Sequence, residues 1–275
     1  MSAPAPLRLR PLEIGDVLDE TFRIYRRHFW LFAGISVVMA IPTAALTGYG
    51  FYTVFSSFLQ TINSINPDFN SMAPTLVWLG ALYLLNFLLS PFTFATVIYA
   101  ACESALGRPV TIWGAIRGVF RRYFAILGYL FVLDVMAVFF CLFPLWIWIA
   151  VGWVAVLPVL FVEKVGLGAA MGRSWRLVEG RWWRTFFILL LIFLLWWFVG
   201  RALEGFLFFA TQIVGIVASN YLVLAISQAL AVLVAALVNP VVQIATVLVY
   251  FDLRVRKEAL DLFQLAQRVS ASQPA

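Results

Sequence analysis

A chain of 275 residues that is 64% hydrophobic and only 12% charged has more apolar side chain than a soluble core can bury, so the rest of its solvent must be lipid. Its net charge of +6 would suit a nucleic-acid binder, but in so apolar a chain the placement of the basic residues matters more than their sum, and nucleic acid is not an expected partner. Cys102 and Cys141 fall in or beside apolar runs that lie far apart across the expected bilayer, so a disulfide scaffold is not implied.

The segment 1–28 is polar and lacks the short apolar region and cleavage site of a signal peptide, so the run that starts at Phe29 reads as an uncleaved first span. Leading into that span, Ile14, Leu18, Phe22, Tyr25 and Phe29 are spaced by four, four, three and four residues, which puts them on one stripe of an amphipathic helix. Six transmembrane helices are predicted over 29–251, at 29–52, 75–101, 123–143, 145–162, 185–207 and 221–251. The clearest of these runs reach the roughly 18 to 20 apolar residues that cross a hydrocarbon core of about 30 Å. Asn63, Asn66, Pro67, Asp68 and Asn70 favour a loop between the first two spans. The stretch 205–220 could continue the fifth span, form an interfacial helix or begin the sixth. Residues 252–275 form a basic helix and tail.

Eighteen of the nineteen Lys and Arg residues fall on one side of this drawing, and only Arg201 falls outside it. The positive-inside rule then places both termini in the cytoplasm and the chain in the inner, or plasma, membrane as a multi-pass protein.

The stripe recurs. A shift of 153 residues lands on Leu167, Met171, Trp175, Val178 and Trp182, and a shift of 94 lands on Arg108, Ile112, Ile116, Val119 and Tyr123. The same registers align Arg23 with Arg117 and Arg176, and His28 with Arg122 and Arg181, and an aromatic pair closes each unit: Phe29 and Trp30, Tyr123 and Phe124, Trp182 and Trp183. Each unit reads as an amphipathic surface helix, an aromatic anchor and a helical hairpin. The expected fold is therefore all-α, one membrane domain of about six transmembrane helices built as three repeats. Glu103, Glu163 and Asp252 stand where each hairpin returns, and Pro91 and Pro240 lie twelve residues before their acids.

Polar groups deep in spans are the candidates for function, because a charge at the bilayer centre costs roughly 2.5 to 3.5 kcal/mol. Asp134, Asn86, Asn239 and Gln243 could meet in a midplane polar site, with Asp134 facing the bundle interior, or they could serve as interhelical glue. Arg201 and Glu204 are placed to pair. His28, the only histidine, is assigned to headgroup contact, and no carboxylate, Cys or His cluster around it suggests a catalytic or metal site. No cofactor is expected.

Three stretches, PLEIGDVLDETFRIYRRHFWLF from Pro11, RSWRLVEGRWWRTFFILLL from Arg173 and NPVVQIATVLVYFDLRVRKEALDL from Asn239, cover about a quarter of the chain. They resemble the glycerophosphoryl diester phosphodiesterase membrane domain family of bacteria. None of the 275 residues matches the phosphodiesterase itself, so the resemblance implies fold and location rather than that reaction.

The expected role is non-enzymatic. Arg23, Arg26, Arg27, Arg117, Arg121, Arg122, Arg176, Arg181, Arg254 and Arg256 would hold anionic lipid headgroups on the cytoplasmic side, in a scaffold or accessory protein of membrane homeostasis that could also contact a membrane or cytoplasmic protein. The alternative is a small transporter or lipid flippase working through the site around Asp134.

Overall fold

The computed structural model describes residues 13–64, 68–138, 143–218 and 221–271. Arg8, Arg10, Asn66, Pro67, Cys141 and Asn220 lie outside the described residues. The described elements are α1 (Ile14–Arg27), α2 (Phe29–Ile62), a 3-10 turn (Phe69–Met72), α3 (Ala73–Ala105), α4 (Ile112–Phe120), α5 (Tyr123–Val138), α6 (Phe143–Gly152), α7 (Val156–Val162), α8 (Leu167–Val178), α9 (Trp182–Ala218) and α10 (Tyr221–Ala271). The fold is an all-α helical bundle, and among the described residues there is no strand. Five helical segments are long and apolar enough to cross a membrane; α5, with 16 residues, is a shorter apolar helix. The stretch left open by the sequence, as far as Ala218, continues α9.

The amphipathic segments are helices with local reasons to start and stop. Asp16 accepts from the Glu13 amide in a capping box at the start of α1, while Arg26 and Arg27 sit in its last turn, so both ends suit the helix dipole. Thr111 accepts from the Gly114 amide and starts α4. The first stripe position, Arg108, lies outside the helix, and Pro109 follows it. Glycines at positive φ, Gly107 (73°) and Gly180 (80°), turn the chain after α3 and before α9.

The returning helices form the core. α3, α7 and α10 pack on one another, and their buried stretches include Ala95 to Cys102, Val156 to Phe161 and Ile244 to Leu253. The amphipathic helices dock onto these three in turn: α4 on α3, α8 on α7 and α1 on α10. Thr21, Ala115 and Ser174, which the two sequence shifts align, are 0, 1 and 0% exposed. Small side chains there allow close approach.

The fourth span departs from the expected continuous helix. It breaks at Trp153 to Ala155, because its outer groups find partners on neighbours: Ser174 of α8 donates to the Gly152 carbonyl at 2.8 Å and accepts from the Ala155 amide at 3.1 Å, and Tyr129 of α5 donates to the Trp153 carbonyl at 3.1 Å. A break in a span persists only where the freed backbone is bonded in this way.

Gly118 of α4 lies against the Tyr99 ring so closely that a Cβ would meet ring atoms at 2.4 Å, and that ring is held edge-on against Phe161. Gly118→Ala should therefore destabilise the protein by about 1 to 3 kcal/mol. Gly80→Ala in α3, where a Cβ meets nothing within 4 Å, should be neutral. Thermal unfolding of the detergent-solubilised protein compares the two.

Candidate functional site

The four residues of the expected midplane site are not gathered in one place. Asp134 does not face the interior. It shares an exposed stripe of α5 with Phe131, Val135 and Val138, while the opposite face, with Ile126, Tyr129 and Leu130, enters the core. Its hydrogen bond comes from the Tyr83 hydroxyl of α3, at a long 3.4 Å, not from Asn86 or the Asn239 to Gln243 stretch. Asn239 accepts from Trp196 Nε1 at 2.9 Å. Gln243 donates to the Phe94 carbonyl at 3.0 Å, and its own oxygen is buried without a partner among the described residues, as is Asn86 Oδ1. The side chain of Gln243 thus joins α10 to α3 beside Pro91, whose freed carbonyl at Phe87 accepts from Ser90.

At the basic end of the bundle the ten arginines divide. Arg26, Arg27, Arg117, Arg121 and Arg176 are exposed. Arg23 is exposed too and pairs with Glu20. Arg122 turns inward and donates to the carbonyls of Lys164, at 2.6 Å, and Val165. Lys164 has φ of 56°, a left-handed conformation that a non-glycine residue keeps only when neighbours fix it. His28 likewise packs edge-on against Phe32, and burial, with Arg27 beside it, lowers its pKa.

Arg254 and Arg256 belong to two polar networks. Arg173 donates to Glu163 at 3.2 Å and to Glu258 at 2.9 Å; Arg254 also holds Glu258, and it donates to the Tyr250 hydroxyl, which returns the circuit to Glu163. The second network centres on Asp252, whose side chain is 1% exposed, with Arg184 at 2.7 Å and Arg256 at 2.8 Å. Asp252 thus meets an arginine in the first turn of the spanning helix α9, alongside the pairing within α10. Arg181 Nη1 is buried nearby with no partner among the described residues. Burial lowers the Arg181 pKa, Arg256 and Arg184 add to that, and Asp252 opposes it.

A feature that no single stretch of the sequence points to lies between α2, α3, α9 and α10: an open slot of about 340 Å³. Ser36, Thr43 and Thr47 line it from α2, Thr93 from α3, Gln228 and Asn239 from α10, and Glu204 from α9. Glu204 pairs with Arg201 at 2.7 Å, as their spacing suggested. The signal was present as a stripe. Positions 36, 40, 43 and 47 of one span and 228, 231, 235 and 239 of another are small or polar at helical spacing within otherwise apolar runs.

Among the described residues, no group of three His, Cys, Asp or Glu side chains gathers as a metal site would require. Architecture and composition define the chain as a multi-pass α-helical membrane protein. Comparison with protein-family models, with curated proteins and with solved structures gives no match.

Proposed function

We propose that this chain is a non-enzymatic protein of the plasma membrane that holds anionic lipid headgroups around its basic end, as a scaffold or accessory protein of membrane homeostasis. The orientation with basic end and termini in the cytoplasm, the three tandem units and the resemblance to the glycerophosphoryl diester phosphodiesterase membrane domain family are part of the same proposal. One observation carries it. Exposed arginines lie within a few residues of exposed aromatics at the starts of the first and third spans: Arg26 and Arg27 before Trp30, 86% exposed, and Arg117 and Arg121 before Phe124, 84% exposed. Exposed Arg176 and Trp183 flank the start of the fifth. The aromatic pairs also share a geometry, with ring planes at 75°, 81° and 90°. Indole and phenyl groups settle at headgroup depth, where a neighbouring guanidinium meets phosphate.

The transporter or flippase reading loses its support at Asp134 and keeps the slot as its one favourable observation.

Each basic residue near an anionic surface contributes about 1 kcal/mol. The quadruple variant Arg26→Gln, Arg27→Gln, Arg117→Gln, Arg121→Gln should therefore fold, yet retain phosphatidylglycerol over phosphatidylethanolamine more than tenfold less selectively when lipids kept after purification are quantified. Unchanged selectivity would remove the headgroup role. Orientation is tested separately in intact cells: Glu179→Cys should resist an impermeant thiol reagent and Ser64→Cys should label, and the opposite pattern would invert the topology.

A further inference from the structure

The slot lies apart from the arginine collar and its occupant follows from its own chemistry. By helical rise, Ser36 is about 10 Å and Thr47 about 27 Å from the start of α2, so the slot extends over about 17 Å, roughly half of a hydrocarbon core of about 30 Å. Ala40, Ala231 and Ala235 open the space between the helices. One end is closed where Gly48 lets α2 and α10 meet: a Cβ there would stand 3.0 Å from the Ala225 carbonyl oxygen and 3.1 Å from Ala229 Cβ. The slot itself remains open.

Of the slot's threonines, Thr93 donates to the Ser90 carbonyl of its own helix at 3.1 Å. Thr96, Thr185 and Thr246 each return their hydroxyl to the carbonyl four residues back, as a threonine in an apolar helix ordinarily does. Thr43 does not: its Oγ1 is buried and has no partner among the described residues. Asn239 gives its oxygen to Trp196, which leaves its amide nitrogen as a donor toward the slot. A lipid tail placed here would leave these groups unsatisfied, at a cost per group comparable to a lost hydrogen bond. The lining therefore calls for a polar occupant. Glu204 is its one ionisable group and is already matched by Arg201, so an added charge of either sign would meet no free counterion at this depth.

We propose that the slot binds the uncharged, hydroxyl-bearing headgroup of an amphiphile that enters from the bilayer. The hydroxyls of Ser36, Thr43 and Thr47 and the amides of Gln228 and Asn239 supply donors and acceptors to ligand hydroxyl and ester groups, and the volume lies at the lower end of ordinary ligand sites. The same chemistry could be presented by a free polyol, so the experiment separates the two sources.

The protein is placed in phosphatidylcholine nanodiscs with a diacylglycerol that has a photoreactive group near its headgroup, and labelled peptides are mapped by mass spectrometry. Labelling should concentrate in α2 and α10. Unlabelled diacylglycerol should compete, while phosphatidylglycerol and free glycerol at the same concentration should not. The isosteric double variant Thr43→Val, Thr47→Val should lower labelling at least fivefold with an unchanged elution profile, and Ala231→Leu, which fills the slot, should lower it further. Asp134→Asn, on the other side of the bundle, should leave it unchanged. Labelling that survives the threonine variant overturns the site. Equal competition by phosphatidylglycerol overturns its charge selectivity, and equal competition by free glycerol overturns the lipid as its source.

Discussion

A carboxylate whose side chain is 1% exposed, Asp252, is held between Arg184 of α9 and Arg256 of its own helix, and the basic end of the molecule is arranged around that pairing. A charge taken out of water needs a close counter-charge and further hydrogen bonds to persist. Arg256 satisfies part of that need from one turn away along α10, so Arg184 is the contact that ties two elements together. The neighbouring circuit of Glu163, Arg173, Glu258, Arg254 and Tyr250 does the same for α7, α8 and α10. Glu163, just after α7, and Asp252, within α10, thus tie these helices to α8 and α9.

Within the apolar layer the same demand falls on the backbone. Ser174 and Tyr129 bond the opened turn of the fourth span, Ser90 takes up the carbonyl released by Pro91, and Gln243 bonds α3 from α10. These contacts leave small polar side chains facing inward at several heights. Where helices close over them the result is a locked bundle. Where α2 and α9 flank α10 without closing, it is the slot, and Thr43 is the residue at which the ordinary return bond is missing.

The helical architecture was legible because its signals are strong and additive: long apolar runs, basic residues on one side and a stripe repeated at two shifts. Helix ends were less so, since α2 runs to Ile62, ten residues past the apolar estimate, through a polar continuation in which Thr53, Ser56 and Thr61 return their hydroxyls to the helix backbone. The reading of Asp134 failed for a specific reason. Burial of an isolated acid was inferred from its cost in lipid, but the face it shares with Phe131 and Val135 is the exposed one, and a tyrosine on the next helix supplies the partner. Whether an arginine faces water or the chain was likewise beyond the sequence. Arg121 and Arg122 are adjacent, yet only Arg122 reaches the strained turn at Lys164. The slot needed two stripes on distant spans to be set side by side, which no local pattern specifies.

Acid–arginine pairing, not apolar contact alone, joins the returning helices to their neighbours. A double-mutant cycle on Asp252→Asn and Arg184→Gln, with unfolding followed by denaturant titration in mixed micelles, tests it most directly. Asp252→Asn should cost about 3 kcal/mol, since it removes the buried acid held between two arginines, and Arg184→Gln should cost less, since Arg256 still pairs with Asp252. The double variant should then cost less than their sum by over 1 kcal/mol. Additivity within about 0.5 kcal/mol would show that the pair does not act as a unit and would contradict the account.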